Sequence, residues 1–254
     1  MELRTIRPDE ADEFLRLMCS VFSLDFERAR GVFRSEPFFD VKSKWAAVQN
    51  GEILACLTTV PLHFGIGGAI GIAGVGTRED FRGQGLASDL LQTAVAACQE
   101  QSEGRALLFA RDERIYARLG FEVLDDVVVA PMGDPEIEVV CPPASFNFVR
   151  AVYDRWAAEH PLRLRRDERR WNYWTWSSKQ PIKVGDGYYA MESPRIRELL
   201  PSYVGSATRD RQEFFGLRSM VQAIDLVPPR ATGDLVLMGK GFSEVPQMFM
   251  TDQF

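Results

Sequence analysis

One short stretch constrains the fold of this chain more than any other. The segment "DFRGQGLASDL" at residues 80–90 joins an apolar segment, "AIGIAGVGT", to a segment with helical periodicity. The first N–H groups of a helix are unpaired and carry partial positive charge, so a helix start attracts anions. Gly83 and Gly85 allow the backbone to approach a bulky anion, and Arg82 adds a positive charge. The stretch therefore predicts a strand, a loop and a helix that together bind a pyrophosphate.

Two other phosphate-binding loops fit this stretch poorly. A Walker loop needs the string GxxxxGK[ST], which the sequence does not contain. A dinucleotide fingerprint needs a third glycine where Ser88 stands, and it should follow the first strand directly, whereas several predicted strands come earlier. A coenzyme A loop remains.

Here the residues resemble the GNAT N-acetyltransferase superfamily, whose signature is Arg/Gln-x-x-Gly-x-Gly/Ala. Residues 82–87 match it in full, "GVGT" precedes it, and "IYARLGFEV" further along is similar to the family's Tyr-x-x-x-Gly-Phe segment. The resemblance implies an α+β fold, with a mixed, mostly antiparallel sheet flanked by helices. It also implies acetyl-CoA as co-substrate.

The second half of the chain resembles one particular branch of this superfamily. The segment "VYDRWAAEHPLRLRRDERRWNYW" is similar to the central region of Eis-like proteins, in which a second GNAT-like domain does not bind coenzyme A. The implied domains are a catalytic domain at 1–133 and a non-cofactor-binding domain at 134–254. A third, sterol-carrier-like domain is usual in that branch, and 254 residues leave no room for it. The base role of those proteins' C-terminal carboxylate is therefore not carried over to Phe254.

The resemblance also assigns roles to individual residues. It places Val75 and Thr77 along the pantetheine arm and gives Tyr116 the role of general acid, since a tyrosine and a thiol have similar pKa values, about 10 and 8.5. The alternatives are a core aromatic for Tyr116 and a plain turn for the loop. The cofactor-binding residues implied are Val75, Gly76, Thr77, Arg82, Gly83, Gln84, Gly85, Leu86 and Ala87.

The sequence identifies the residues that bind or deprotonate the acceptor amine less clearly. Glu113, His63, Asp25 and Glu27 are candidates for a base by position only, and a surface or structural role suits each better. The phenylalanines of residues 21–39 could wall an acceptor pocket or belong to the core. The tryptophans of "RRWNYWTW" suit packing better than ligand binding.

Composition narrows the classes of partner. The net charge of −6 and pI of about 5.2 do not favour nucleic acid, and they are compatible with a cationic amine. The N-terminus has no signal-peptide core, and no segment is apolar enough to span a bilayer, so we expect a cytoplasmic protein without a membrane partner. The scattered cysteines predict reduced thiols, and two distant histidines predict no metal site.

These observations predict an enzyme: an acetyl-CoA-dependent N-acetyltransferase acting on a primary amine by direct attack. The alternatives are a catalytically silent acyl-CoA-binding or interaction protein and an enzyme that uses a longer acyl-CoA. The amine can be a small molecule or a peptide, and a homo-oligomer stays open.

Local patterns predict several elements. Asn50-Gly51 predicts a hairpin turn between two apolar runs, and Gly67-Gly68 predicts the next turn. Residues 132–138 read as a linker, residues 210–225 as one helix and residues 247–252 as a strand.

Overall fold

A computed structural model describes residues 1–35, 39–131, 141–177, 180–192, 195–200, 213–223 and 230–254. The strands in this part of the chain are β1 (Glu2–Thr5), β2 (Lys44–Gln49), β3 (Glu52–Phe64), β4 (Gly67–Thr77), β5 (Ala106–Ala110), β6 (Glu122–Pro131), β7 (Leu164–Arg165), β8 (Gln180–Val184), β9 (Gly187–Glu192), β10 (Arg195–Leu200), β11 (Glu213–Leu217) and β12 (Arg230–Lys240). The helices are α1 (Ala11–Phe22), α2 (Phe26–Ser35), α3 (Leu86–Ala97), α4 (Gln99–Ser102), α5 (Arg114–Ala117), α6 (Phe146–Ala158), α7 (Glu168–Trp176) and α8 (Arg218–Ala223). The predicted linker at 132–138 lies outside the described residues.

The strands form one mixed, mostly antiparallel sheet, which confirms the predicted α+β class. Its order is β1-β2-β3-β4-β5-β12-β6-β11-β10-β9-β8, with β7 paired to β3. The parallel pairs are β4 with β5 and β10 with β11. Strand β12 comes from the end of the chain and lies between β5 and β6 of the first half. The two halves therefore share a sheet, and the division at 133/134 stays a prediction.

The first hairpin follows the prediction, whereas the second turn does not. Asn50 and Gly51 have φ values of 54° and 85°, the left-handed pair that a two-residue hairpin needs. The next turn lies two residues earlier than predicted, at residues 65–66, and Gly67 and Gly68 begin β4. A Cβ on Gly68 would lie 2.0 Å from the Gln101 carbonyl oxygen, so glycine there allows α4 to approach the strand.

Two element predictions in the second half are wrong. In the predicted helix 210–225, residues 213–217 form β11, which pairs antiparallel with β6, and helix α8 begins only at Arg218. The predicted strand 247–252 ends in a 3-10 turn at Met250–Asp252. Both segments contact residues distant in sequence, and tertiary pairing overrides local preference in such cases.

The four cysteines form no disulfide, in agreement with the predicted reduced thiols. Cys19 and Cys56 are buried, and Cys98 and Cys141 are half-buried. Burial raises the pKa of the Cys56 thiol to about 12. Since the thiolate is the nucleophilic form, Cys56 is inert at neutral pH. No helix among the described residues is long and apolar enough to cross a membrane.

The second half encloses a buried ionic group, here called the Arg166 cluster: Arg166, Glu198 and Asp252. The Arg166 Nη2 atom lies 2.7 Å from Glu198 Oε2 and 2.7 Å from Asp252 Oδ2, and the side-chain exposure of all three residues is 1% or less. Trp174 Nε1 donates to Glu198 at 3.1 Å, and the Tyr188 hydroxyl donates to the same carboxylate. Burial opposes the Arg166 charge, but the two carboxylates outweigh it and hold the Arg166 pKa well above its usual value. Trp174 is buried beside the cluster, as expected for a tryptophan that packs and binds no ligand.

Candidate functional site

The segment at residues 82–87, here called the anion loop, has the geometry that its sequence predicts. Gly83 and Gly85 have φ values of 78° and 80°, and a Cβ built on either would meet no atom within 4 Å. Both glycines therefore face open space, with backbone angles that other residues adopt only under strain. Arg82 and Gln84 are exposed, while Leu86 is buried and anchors the first turn of α3.

The start of α3 leaves backbone donors free of the helix. Gly85 is its N-cap, and the first N–H that returns to the cap is that of Asp89, which donates to the Gly85 carbonyl at 3.0 Å. The N–H groups of Leu86, Ala87 and Ser88 precede that bond and have no acceptor within the helix. Open glycines, an exposed arginine and these N–H groups fit a pyrophosphate.

Strand β4 carries a bulge just before the loop. Cys56 pairs with Gly76, and Thr58 pairs with Ala73, so two residues of β4, Gly74 and Val75, oppose one residue of β3. Gly74 has a φ of 60°. Such a bulge breaks the hydrogen-bond ladder and turns the strand.

Beyond the paired segment, β4 and β5 separate. Their register runs only from Ile70 opposite Ala106 to Ile72 opposite Leu108. Residues 73–77 at the end of β4 are therefore not paired with β5, and their backbone groups on that edge lie outside this ladder.

Three predicted residues of β4 differ in their surroundings. Val75 is half-buried and packs against the core cluster that includes Leu86. Thr77 is half-buried, and its carbonyl oxygen lies 3.4 Å from Arg82 Nε, which joins the strand end to the anion loop. Gly76 is buried against α1, where a Cβ would lie 3.1 Å from Val21 Cγ1. The side of Gly76 that would carry a Cβ thus faces α1.

Tyr116 lies on the same side of the sheet as α3. Its ring packs against the core cluster that also contacts Val75, and it meets Phe121 edge-on at 6.4 Å between centroids. Burial raises the pKa of its hydroxyl above the usual 10.0. Among the described residues, nothing is hydrogen-bonded to that hydroxyl. The group is therefore a protonated, unengaged donor at neutral pH.

A cavity of about 210 Å³ opens next to the bulge. Ala73 of β4 lines it, two residues from Val75, which packs toward Tyr116. The bulge thus lies between the cavity and the Tyr116 side of the sheet. The remaining described lining residues are Met18, Phe33, Ser43, Lys44, Thr58, Thr59, Val60, Pro61, Asp167, Arg169, Arg170, Tyr173, Gln253 and Phe254.

Two phenylalanines line this cavity. Phe33 is 8% exposed, stacks on Phe14 at 6.4 Å and also lines the cavity, so it serves both the core and the pocket wall. The Phe254 ring contacts Phe109 at 5.6 Å between centroids and lies where a Cβ on Gly71 would be. Sequence reasoning gave Phe254 no role, because only the fold brings residue 254 to β4.

The residues considered for a base do not line the cavity, although His63 contacts Asp167, which does. His63, Asp25, Glu27 and Glu113 are exposed and absent from its described lining. His63 Nε2 lies 3.6 Å from Asp167 Oδ2, and Asp25 Oδ1 accepts the Arg28 N–H at 2.8 Å. Both contacts suit structural roles.

Sequence reasoning also missed Arg170, a charged residue inside the cavity wall. Arg170 is 5% exposed, and its Nη2 atom is buried with no hydrogen-bond partner. The sequence does not show that Arg170 is buried, because the pattern of "RRDERRW" is typical of an exposed, charged helix surface. Only the fold separates its arginines into exposed, paired and unpaired ones.

Comparison with known proteins finds a family whose model matches the first half of the chain. Residues 2–124 match the family model described as an acetyltransferase (GNAT) domain. No curated protein sequence matches the chain.

Several solved structures share the fold over nearly the whole chain. A GCN5-related N-acetyltransferase from Kribbella flavida is 17% identical with a TM-score of 0.70, over 94% of this chain and 70% of that one. An acetyltransferase structure from Pyrococcus horikoshii is 12% identical with a TM-score of 0.68, over 98% and 92% of the two chains. Eis1 from Mycobacterium abscessus is 12% identical with a TM-score of 0.64, over 93% and 73%.

Proposed function

We propose that this protein, whose residues 2–124 are a GNAT acetyltransferase domain, transfers an acetyl group from acetyl-CoA to a primary amine. The observation that carries the proposal is the anion loop, with open glycines at residues 83 and 85 directly before α3. Glycines at positive φ, an exposed arginine and the first N–H groups of a helix lie together in this one short segment. Similarity to solved acetyltransferases along most of the chain supports the same reading.

In this proposal the anion loop holds the pyrophosphate of acetyl-CoA. Arg82 supplies charge, and the N–H groups of Leu86 and Ala87 donate at the start of α3. Val75, Gly76 and Thr77 lie along the pantetheine arm. When bound, acetyl-CoA supplies an acetyl thioester that is already activated, so the protein needs no nucleophile of its own.

The residues around the bulge then have two tasks. The bulge interrupts the β3–β4 ladder at Gly74 and Val75, so backbone N–H groups there can stabilise the charge that develops on the thioester oxygen. Tyr116 donates its proton to the departing sulfur. Its unengaged hydroxyl and raised pKa suit a donor that stays protonated at neutral pH.

The acceptor amine enters from the cavity as the neutral amine and attacks the thioester carbon directly, and the carbon–sulfur bond breaks. The proton that the nitrogen loses passes through water to the Tyr116 oxygen and restores the hydroxyl. The position of Ala73 in the cavity wall, next to the bulge, supports this route. A cysteine acyl-enzyme is disfavoured, since burial raises the pKa of Cys56 to about 12 and the thiolate is scarce.

The second domain, in this proposal, binds no cofactor and covers the acceptor cleft. Asp167, Arg169 and Arg170 of the second half line the cavity together with residues of the first half, which supports that role.

The direct test is consumption of acetyl-CoA across a panel of small-molecule and peptide amines, with a longer acyl-CoA in parallel. We expect turnover with acetyl-CoA and at least one primary amine. Tight binding of acetyl-CoA with no turnover on any amine would instead support a silent acyl-CoA-binding protein.

A further inference from the structure

We infer that the cavity selects an amine that also carries a carboxylate, an acceptor of about amino-acid size, through the unpaired guanidinium of Arg170. The inference deepens the proposed function and rests on it for the identity of the reaction. The inference concerns which class of amine the enzyme accepts as its substrate.

The first observation is that Arg170 makes no direct ion pair, although the Asp252 carboxylate is near enough to favour its charge. The Arg170 Nη1 atom reaches only the backbone oxygen of Asp252, at 3.4 Å. Both oxygens of the Asp252 carboxylate accept instead from Arg166, at 2.9 and 2.7 Å. No carboxylate among the described residues pairs with the Arg170 side chain.

The second observation is that this charge is buried. Arg170 is 5% exposed, and its Nη2 atom is out of contact with solvent and without a partner. Burial lowers the pKa of Arg170, and the neighbouring Arg166 adds to that effect against the opposing Asp252. A buried charge without a partner is costly, and folded proteins rarely keep one. A ligand carboxylate would supply the acceptor that the Arg170 Nη2 atom lacks.

The third observation is the character of the cavity around Arg170. The charged side chains among its described lining are Lys44, Arg169 and Arg170 against a single Asp167, so these side chains have a positive balance. The net charge of −6 for the whole chain, which was compatible with a cationic amine, does not describe this site. A guanidinium matches a carboxylate geometrically as well as by charge.

The size and the remaining walls limit the rest of the acceptor. A cavity of about 210 Å³ is below the roughly 300–1,000 Å³ of pockets that hold drug-sized ligands. Apolar lining side chains, Met18, Phe33 and Val60 among them, favour a small apolar body. Leucine and its derivatives are therefore suitable probes.

The first experiment measures binding without turnover. N-acetyl-L-leucine and N-acetyl-L-leucinamide, which differ in one charge, are titrated calorimetrically into the protein in the presence of coenzyme A. We expect the carboxylate to bind roughly 10- to 100-fold more tightly than the amide, the usual value of a hydrogen bond to a charged group. Equal affinities, or no binding of either probe, would overturn the inference.

Variants assign the preference to Arg170. Arg170→Gln should reduce the preference for the carboxylate to about one while the melting temperature stays the same or rises, because a buried unpaired charge is removed. Arg170→Lys should retain part of the preference. A structural arginine predicts the reverse for Arg170→Gln, a lower melting temperature with the preference intact. Arg155→Gln, which changes an exposed arginine on α6 outside the cavity, serves as the control for net charge.

The second experiment separates this inference from the proposed function. Acetyl-CoA consumption is measured with L-leucine, L-leucinamide and 3-methylbutylamine. Preference for leucine supports both ideas, whereas acetylation of the two neutral-tailed amines with leucine ignored contradicts only the inference. If no amine is acetylated but N-acetyl-L-leucine binds through Arg170, the inference stands and the proposed function fails.

Discussion

The arginines of the anion loop and of the Arg166 cluster differ in exposure and in whether a carboxylate pairs with them. In the anion loop Arg82 is exposed, its hydrogen bond is a 3.4 Å contact with the Thr77 carbonyl, and no described carboxylate pairs with it. In the Arg166 cluster two carboxylates, Glu198 and Asp252, surround one guanidinium away from solvent. A charge that the fold leaves unpaired is available to a ligand, whereas a charge that the fold pairs completely holds the fold together.

The tyrosines of the two regions show the same contrast. The hydroxyl of Tyr153, beside the Arg166 cluster, donates to the Leu164 carbonyl at 2.8 Å. The hydroxyl of Tyr116 has no such bond among the described residues. We therefore expect changes near the Arg166 cluster to reduce stability, and changes at the anion loop or Tyr116 to reduce binding or turnover.

The largest expected effect is on stability. Arg166→Met would leave the Glu198 and Asp252 carboxylates buried without their cation, and loss of one partner of a buried pair costs on the order of 3–5 kcal/mol. Denaturant unfolding of wild type and variant measures this loss. A change below about 1 kcal/mol, typical of an exposed ion pair, would contradict the structural role of the cluster.

The next effect is on turnover. Tyr116→Phe keeps the ring and removes the proton donor, so kcat should fall by roughly 10²–10⁴, about 3–5 kcal/mol at the transition state. Affinity for acetyl-CoA should stay within a few-fold, because we propose that the phosphate contacts lie in the anion loop. Steady-state kinetics combined with melting curves measures both properties.

Tyr153→Phe is the matched control for that experiment. It removes a hydroxyl that is bonded within the fold, so we expect a loss of stability of about 1 kcal/mol and unchanged turnover per folded molecule. If Tyr116→Phe behaves like Tyr153→Phe, with a lower melting temperature and wild-type kcat, Tyr116 is not the general acid.

The pH profile sharpens the same contrast. Burial raises the pKa of Tyr116, and the proton donor is the neutral form, so activity should be present below the raised pKa and lost as pH rises through it. The falling limb of kcat should therefore lie above the usual tyrosine value of about 10. Rates measured across the alkaline range test this, and a limb below pH 10 in the wild type, or one that persists in Tyr116→Phe, would assign it to another group.

The smallest effect is expected for the exposed charge. Arg82→Ala should weaken acetyl-CoA binding roughly 10-fold, the value of one hydrogen bond to a charged group, and leave the melting temperature unchanged. Arg155→Ala removes an exposed arginine from α6 and should change neither property. Equal affinities of the two variants would mean that Arg82 does not contact the phosphates.

The sequence predicted the parts of this molecule that depend on local geometry. The Asn50-Gly51 turn and the anion loop both need glycine at positive φ, and such a need is visible in a few adjacent residues. Strand β11 was misread as helix because its partner, β6, is far away in the sequence. The lack of a partner for Arg170 could not be predicted either, because it depends on Arg166 having taken both oxygens of Asp252.

The central claim is that the anion loop is the single acetyl-CoA site of the chain, and calorimetric titration of Gly85→Val tests it most directly. Gly51→Val is the matched control, since Gly51 and Gly85 have φ values of 85° and 80° and both face open space. Both variants should carry the same backbone strain. We expect one acetyl-CoA bound per chain in the wild type and in Gly51→Val, and no measurable binding in a folded Gly85→Val. Wild-type affinity in Gly85→Val, or two cofactors bound per wild-type chain, would contradict the account.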